Sequence, residues 1–436
     1  MITPTLHRVP GEMLAELATG GGGEPAVALL RRVQRSKHRA VLLSLVRETI
    51  AADHPHARLA THAYQALADL ETRAPASVNR VLAYPAVGSW LWQSLKSVGA
   101  QAAAPGLDPG LLGTLPIVAA IDAGLSHEQR LPLFADSLTL PSLGRLRLPR
   151  PPGEVTVATR PGPGGALLTI DGLTSTVTQE TDSPHWDALR RVPLPGGPVL
   201  TIDDLDPCRW PDVTTRCPRL DMADHPHWSS RLTEAWSLLR TGHPATAAEV
   251  AAAISVVTPI EAPGKGLNSA TAREVFGTIA MSEPPDAVTT ASTLAHEIQH
   301  AKLTALQEVV QLTEPGHTTR YYAPWRKDPR PVYGLLQGVY AYLGVTAFWR
   351  RQRRLPDHDQ GRAHSEFARW RQAVHDGTAS LLAGDGLTPE GRDFVGVIRD
   401  TVAAWLPEPV PDRALTQARA AATRHRSEWI RRNRPR

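Results

Sequence analysis

The chain has 436 residues and a formal charge of +4, with 42 % hydrophobic and 21 % charged residues. That length allows about two to four domains and a large core without disulfides or structural metals. The small net charge makes no case for nucleic acid, and the two cysteines exclude a disulfide scaffold and a four-Cys zinc site. No apolar run of about 18 residues marks a membrane span. The start of the chain lacks the basic and apolar regions of a signal peptide. A cytoplasmic protein with two free thiols, Cys208 and Cys217, is expected.

Residues 1–131 read as an N-terminal helical domain. Pro25 to Arg32 carries apolar residues at helical spacing, Ala40 to Val46 continues it, and the Gly20 to Gly23 run breaks it from an earlier helix. Further helices are predicted over 59–73, 75–82, 85–98 and 115–124. Residues 132–205 read as a small β-rich module. Short runs at 137–140, 143–148, 155–158, 166–170, 175–178 and 199–202 alternate with turns at 160–165 and Asp171-Gly172. Residues 206–436 read as a C-terminal helical domain. Its helices are predicted over 226–241, 246–255, 286–312, 333–353, 362–383, 388–405 and 412–432, with an ordered Pro-rich loop at 313–332 and a solvated basic tail from Arg424. The expected class is α+β, mostly helical, with a small antiparallel β module mid-chain.

The chemistry-bearing stretch is Ser292 to Leu303, which holds His296-Glu297-x-x-His300 inside a helical pattern. Residues four apart lie about 40° apart around a helix, so both imidazoles can reach one metal ion. Glu297, beside the first ligand, can reach a metal-bound water. The alternative is two histidines on an apolar helix face. A third ligand is needed. Leu306 stands where the metzincin extension requires His, and Glu308 lies too far along and around the helix. His317, Asp328, Gln337 and Glu366 remain, and Glu366 is the favoured carboxylate. Gln337 and Tyr340 share a helix face and are expected near the cofactor.

Two other stretches stand out. Tyr321 to Pro331 packs aromatic and basic residues among prolines, which lower the entropy lost in ordering a loop. Arg326 or Arg330 could hold a carboxylate there; the alternative is a structural loop with pairing of the Arg326–Asp328 type. Asp203, Asp204 and Asp206 could bind a cation, but they lack the Gly and Glu of a calcium loop, and a turn or capping role is the expectation.

Taken together, His296-Glu-Ile-Gln-His-Ala-Lys-Leu303, Tyr321-Tyr-Ala-Pro-Trp-Arg-Lys-Asp-Pro-Arg-Pro331 and Gly334-Leu-Leu-Gln-Gly-Val-Tyr-Ala-Tyr-Leu-Gly-Val345 resemble the actinobacterial HExxH-motif proteins. Those are encoded with radical-SAM maturases of ribosomally made peptides. Arg35-Ser-Lys-His38, Asp203 to Pro207, Ser269 to Gly277 and Glu366 to Arg371 extend the resemblance over nearly the whole chain. One departure is Gln337, where many relatives carry His, and it leaves the third ligand open.

The resemblance implies an Fe(II)/α-ketoglutarate-dependent oxygenase that hydroxylates the β-carbon of a residue in a ribosomally made precursor peptide. Its cofactor would be Fe(II), with α-ketoglutarate and O2 as co-substrates. Two histidines and a carboxylate would leave open positions on the iron. The fold implied is a zincin-like HExxH helix in the C-terminal domain. The precursor peptide, and a radical-SAM maturase of the same pathway, are the partners implied; nucleic acid and membrane are not. Two rivals stand beside this reading. HExxH alone indicates a zinc metallopeptidase with Zn(II) and Glu297 as general base. The other is a non-catalytic peptide-binding partner of a maturase.

Overall fold

A computed structural model describes residues 5–102, 104–149, 152–179, 181–262, 267–356 and 359–433. Helices α1 (Gly11–Ala18) and α2 (Gly23–Ala51) precede α3 (Ala57–Arg73), α4 (Pro75–Ala83), α5 (Pro85–Gly99) and α6 (Thr114–Asp122). Strands follow: β1 (His127–Leu133), β2 (Ser137–Leu140), β3 (Gly144–Arg147), β4 (Gly153–Gly162), β5 (Gly165–Ile170), β6 (Leu173–Val177), β7 (Trp186–Ala188), β8 (Arg190–Pro193) and β9 (Val199–Ile202). Helices α7 (Asp224–Gly242) and α8 (Pro244–Ala253) lead to β10 (Val256–Pro259), β11 (Ser269–Ala270) and β12 (Thr278–Met281). After α9 (Ala287–Leu306) come the short strands β13 (Arg320–Tyr321) and β14 (Arg330–Pro331), then α10 (Val332–Gln352), α11 (Gln360–Ala383), α12 (Pro389–Ala403) and α13 (Asp412–Arg432). The chain is mostly helical with small sheets, an α+β protein. No helix among the described residues is long and apolar enough to cross a membrane.

The chain forms two compact units that do not follow the three consecutive segments expected from the sequence. The first is built chiefly from residues 32–230 and 254–283, the second from 7–31, 231–253 and 284 onward. The expected breaks after 131 and 205 both fall inside the first unit.

In the first unit, α3 to α6 pack with the strands around one apolar core that includes Leu67, Leu91, Ile117, Leu131, Val157 and Trp186. Strands β1, β4, β5 and β6 form an antiparallel sheet. Asp171 and Gly172 both take positive φ, 44° and 90°, which closes the β5–β6 hairpin as a type I′ turn. A second sheet, in the order β11-β12-β10-β9-β8, is mixed: β10 runs parallel to both β9 and β12. Its central strands lie in the region expected to be purely helical. Every residue of β10 and β12 is buried, so these strands show no apolar–polar alternation and read as ordinary core.

The second unit is a helical layer. α10 packs between α9 and α11, α11 meets α12 and α13, and α8 packs on α9. Asp286 caps α9, accepting at 2.8 Å from the Thr289 N–H. The helix ends at Leu306, short of the expected 312, and β-branched Val309 and Val310 follow in a turn. Glycines inside α10 mark close approaches. A Cβ on Gly338 would meet the Trp325 indole at 2.3 Å, and one on Gly344 would meet the Ala295 carbonyl of α9 at 2.8 Å. The segment between α1 and α2 is held by α9 and α10. Lys302, buried in α9, donates to the Gly20 and Gly21 carbonyls, each at 2.9 Å, and to Glu249 Oε2 at 2.7 Å. The basic C-terminal stretch, expected as a tail, is helical to Arg432 with a mostly exposed surface; residues 434–436 lie outside the described residues.

Candidate metal centre

The i,i+4 spacing on α9 brings the two histidines together as the helix period requires. Their Nε2 atoms are 3.1 Å apart. Nitrogens bound to one ion at roughly 2.0–2.1 Å with an angle near 90–110° would lie about 2.8–3.4 Å apart, so the pair fits a shared divalent cation. Without an ion the same distance suits a hydrogen bond between the rings.

The tautomer of His300 follows from its neighbour on α10. His300 Nδ1 lies 2.9 Å from Gln337 Oε1. The Gln337 amide is oriented by its other end, where Nε2 donates to Gln307 Oε1 at 3.0 Å and to Thr304 Oγ1 and Tyr333 Oη at 3.3 Å. Its carbonyl oxygen therefore faces His300, Nδ1–H donates to it, and Nε2 keeps its lone pair toward His296. Desolvation, and after it the nearby His300, push the His296 pKa well below the usual 6.5. The neutral imidazole is the ligating form.

Beyond the histidines stands an aromatic wall. The Tyr342 ring meets His296 edge-on at 5.0 Å, stacks on Trp325 at 4.8 Å and lies 4.1 Å from Trp370. Burial pushes the Tyr342 hydroxyl up to about 12. Arg369 opposes that shift, Glu366 and Glu297 add to it, and Arg326 opposes it more weakly. Tyr342 is thus a neutral hydrogen-bond donor at physiological pH. Glu297 is 1 % exposed on α9, and its charge is among those acting on Tyr342.

The other expected residues are placed as follows. The Glu366 carboxylate accepts from the Trp370 indole N–H at 2.6 Å. Among the described residues no third His, Cys, Asp or Glu joins His296 and His300 in one ligand-spaced group. Gln337 is at the site, holding His300. Tyr340 is not: its ring is buried, and its hydroxyl donates to the Leu17 carbonyl at 2.6 Å. Tyr340 lies about 60° around the helix from Gln337, and its bond to Leu17 turns its hydroxyl toward α1. Arg326 and Arg330 both bond to Asp328, at 3.2 and 3.0 Å, the pairing the sequence left open. His317 pairs with Asp385 at 2.9 Å. Tyr342, Trp325, Trp370 and Arg369 are not singled out individually by the sequence. The legible signal for them is Gly338 and Gly344 inside a helix, since such glycines mark close packing.

Two further groups lie in the first unit. Asp203 accepts from the Leu205 and Asp206 N–H groups and from Tyr84 Oη, Asp204 from Leu220 N–H, and Asp206 from Cys208 N–H. The backbone bonds of Asp203 and Asp206 are turn roles, whereas Asp204 ties its loop to Leu220 and Asp203 also receives Tyr84 from α4's C-terminal end. Burial, and then the Asp203 charge, push Asp206 up to about 7. His54, His56 and Asp108 are spaced closely enough to hold a cation, a group not singled out in the sequence. His56 Nδ1 lies 2.9 Å from both Asp108 oxygens, and His54 Nδ1 accepts from the His56 N–H at 3.2 Å. His54 Nε2 lies 3.9 Å from Asp108 Oδ2, so the His56–Asp108 contact is the hydrogen bond between side chains in this group.

No protein-family model matches the chain, and no curated protein matches it.

Proposed function

We propose that the chain is an Fe(II)/α-ketoglutarate-dependent oxygenase that hydroxylates a β-carbon in a ribosomally made precursor peptide. The observation that carries the metal part is the Nε2 pair of His296 and His300 at 3.1 Å, with the His300 tautomer set by Gln337. The resemblance of the sequence motifs selects iron and α-ketoglutarate over zinc. When bound, Fe(II) with α-ketoglutarate and O2 supplies the oxidation, converting C–H to C–OH as α-ketoglutarate becomes succinate and CO2.

The chain's own residues bind, orient and exclude water. His296 and His300 would hold the metal. Glu366 is the carboxylate we assign as third ligand, because it bonds Trp370, whose ring lies 4.1 Å from Tyr342, and Tyr342 stands on His296; it would leave the Trp370 indole to do so. Trp325, Tyr342 and Trp370 wall off one side. The Tyr342 hydroxyl keeps its proton and would offer a hydrogen-bond donor beside the site. Arg369 joins Arg326 and Arg330 as the cation for the distal carboxylate of α-ketoglutarate. Unlike those two it is not bonded to Asp328, and it lies over the Trp370 ring at 4.2 Å.

The test is anaerobic reconstitution with Fe(II), then α-ketoglutarate. A weak visible charge-transfer band that needs both and vanishes in His296→Ala is expected. No band, with Zn(II) retained through purification, would favour the metallopeptidase, with Glu297 as its base.

A further inference from the structure

The second unit carries a groove of about 680 Å³ between α11 and α13, bounded by the segment around Tyr322 and Pro324. Alanines from both helices line it, among them Ala373, Ala418 and Ala422, so the groove has open width rather than large side chains filling it. Its charge is one-sided. Arg369, Arg419 and Arg426 line it, against Asp376 as the acidic residue. A fourth arginine, Arg371, is committed to the fold, donating to the Trp405 and Glu408 carbonyls. Arg419 and Arg426 are exposed. Arg426 lies 4.2 Å over the Tyr322 ring, just as Arg369 lies over Trp370. Stacking on a ring holds each guanidinium in place while leaving its N–H edge for a carboxylate.

The groove shares a wall with the metal centre. Trp370 lines it and also lies 4.1 Å from Tyr342, which meets His296. We propose that this groove binds an acidic peptide segment, with Arg419 and Arg426 receiving its carboxylates, and so recruits the peptide substrate. This deepens the oxygenase reading and rests on it for the word substrate. A peptide suits the groove better than a nucleic acid. Single strands bind through open aromatic faces, but here Trp370 is covered by Arg369 and Tyr342, and Tyr322 by Arg426 and Trp429.

The experiment is fluorescence anisotropy on the full chain with a labelled Glu-Gly repeat peptide. A Lys-Gly repeat and a labelled oligo-dT serve as comparison probes. The acidic peptide should bind with an affinity that falls as salt rises. The double variant Arg419→Glu/Arg426→Glu should weaken it about tenfold or more and favour the Lys-Gly repeat instead. Arg419→Gln/Arg426→Gln should fall between. The Fe(II)/α-ketoglutarate band and the thermal midpoint should not move in either variant. Equal binding of both peptides, oligo-dT binding as tightly as the acidic peptide, or unchanged affinity in the reversed variant would each overturn the groove assignment. A missing band in the wild type, with the charge-dependent binding intact, would overturn the oxygenase reading and leave the groove as an acidic-peptide site.

Discussion

Gln337 Oε1 lies 2.9 Å from His300 Nδ1, and this bond from α10 decides which nitrogen of a histidine on α9 faces inward. The nitrogen of the same amide donates to Thr304, Gln307 and Tyr333. Replacing Gln337 by Ala should therefore weaken metal binding by about 10–100-fold, the usual cost of losing such an orienting partner, with little change in fold. Titration against a chromophoric chelator measures this. Unchanged affinity would mean that His300 is oriented by something else.

His296→Ala or His300→Ala should abolish metal binding, since each removes one of two facing Nε2 atoms. Glu366→Gln should lower iron affinity while leaving the Trp370 indole an acceptor. Full metal content in either histidine variant would sink the site, and normal iron loading in Glu366→Gln would remove that residue from the ligand set.

Arg326 and Arg330 share Asp328, whereas Arg369 exerts the larger effect on Tyr342. Arg369→Ala should raise the apparent KM for α-ketoglutarate more than Arg326→Ala or Arg330→Ala does. Steady-state kinetics at saturating peptide decides the order, and three unchanged KM values would exclude all of them as the anchor.

Asp206 titrates near 7 in the fold against an ordinary value of 3.8. The folded state then holds a proton that the unfolded state has lost, so stability falls as pH rises from about 4 to about 7. An asparagine side chain at this position could still accept from the Cys208 N–H, so Asp206→Asn should stabilise the protein on the order of a few kcal/mol at about pH 8. The gain should vanish near pH 4. Denaturant melts at both pH values check this, and an equal gain at both would assign the effect to something other than charge.

Lys302 is fully enclosed with Glu249, whose other oxygen accepts from the Gly23 N–H at 3.0 Å. Burial lowers the lysine pKa, and Glu249 opposes this. Lys302→Met leaves a buried carboxylate unpaired and should cost about 3–5 kcal/mol. The double variant Lys302→Met/Glu249→Leu should recover much of that in urea unfolding. Equal losses in both would show that the Gly20 and Gly21 carbonyls, not the ion pair, set the cost.

Much of the helical framework is legible in the sequence because its periodicity is local. Asp171-Gly172 announces its hairpin because the turn needs two positive φ values. Strands β10 and β12 are not legible, since full burial removes alternation. The histidine pair is readable from a four-residue spacing within one helix. Gln337 stands out as a candidate ligand, but its role depends on the α9–α10 packing that Gly344 permits, and no spacing within one helix reveals it. Tyr340 is misplaced by sequence reasoning for the same cause. Its face is set by contact with Leu17, 323 residues away.

The partners of Lys302 also set an order of assembly. Gly20 and Gly21 leave the ribosome some 280 residues before the lysine that binds them. Water satisfies those carbonyls until α9 has formed, and a contact of that sequence separation closes slowly. The segment following α1 is therefore fastened onto α9 only after α9 has been made. A fragment beginning after residue 31 would carry the HExxH motif with its buried cation facing no carbonyls.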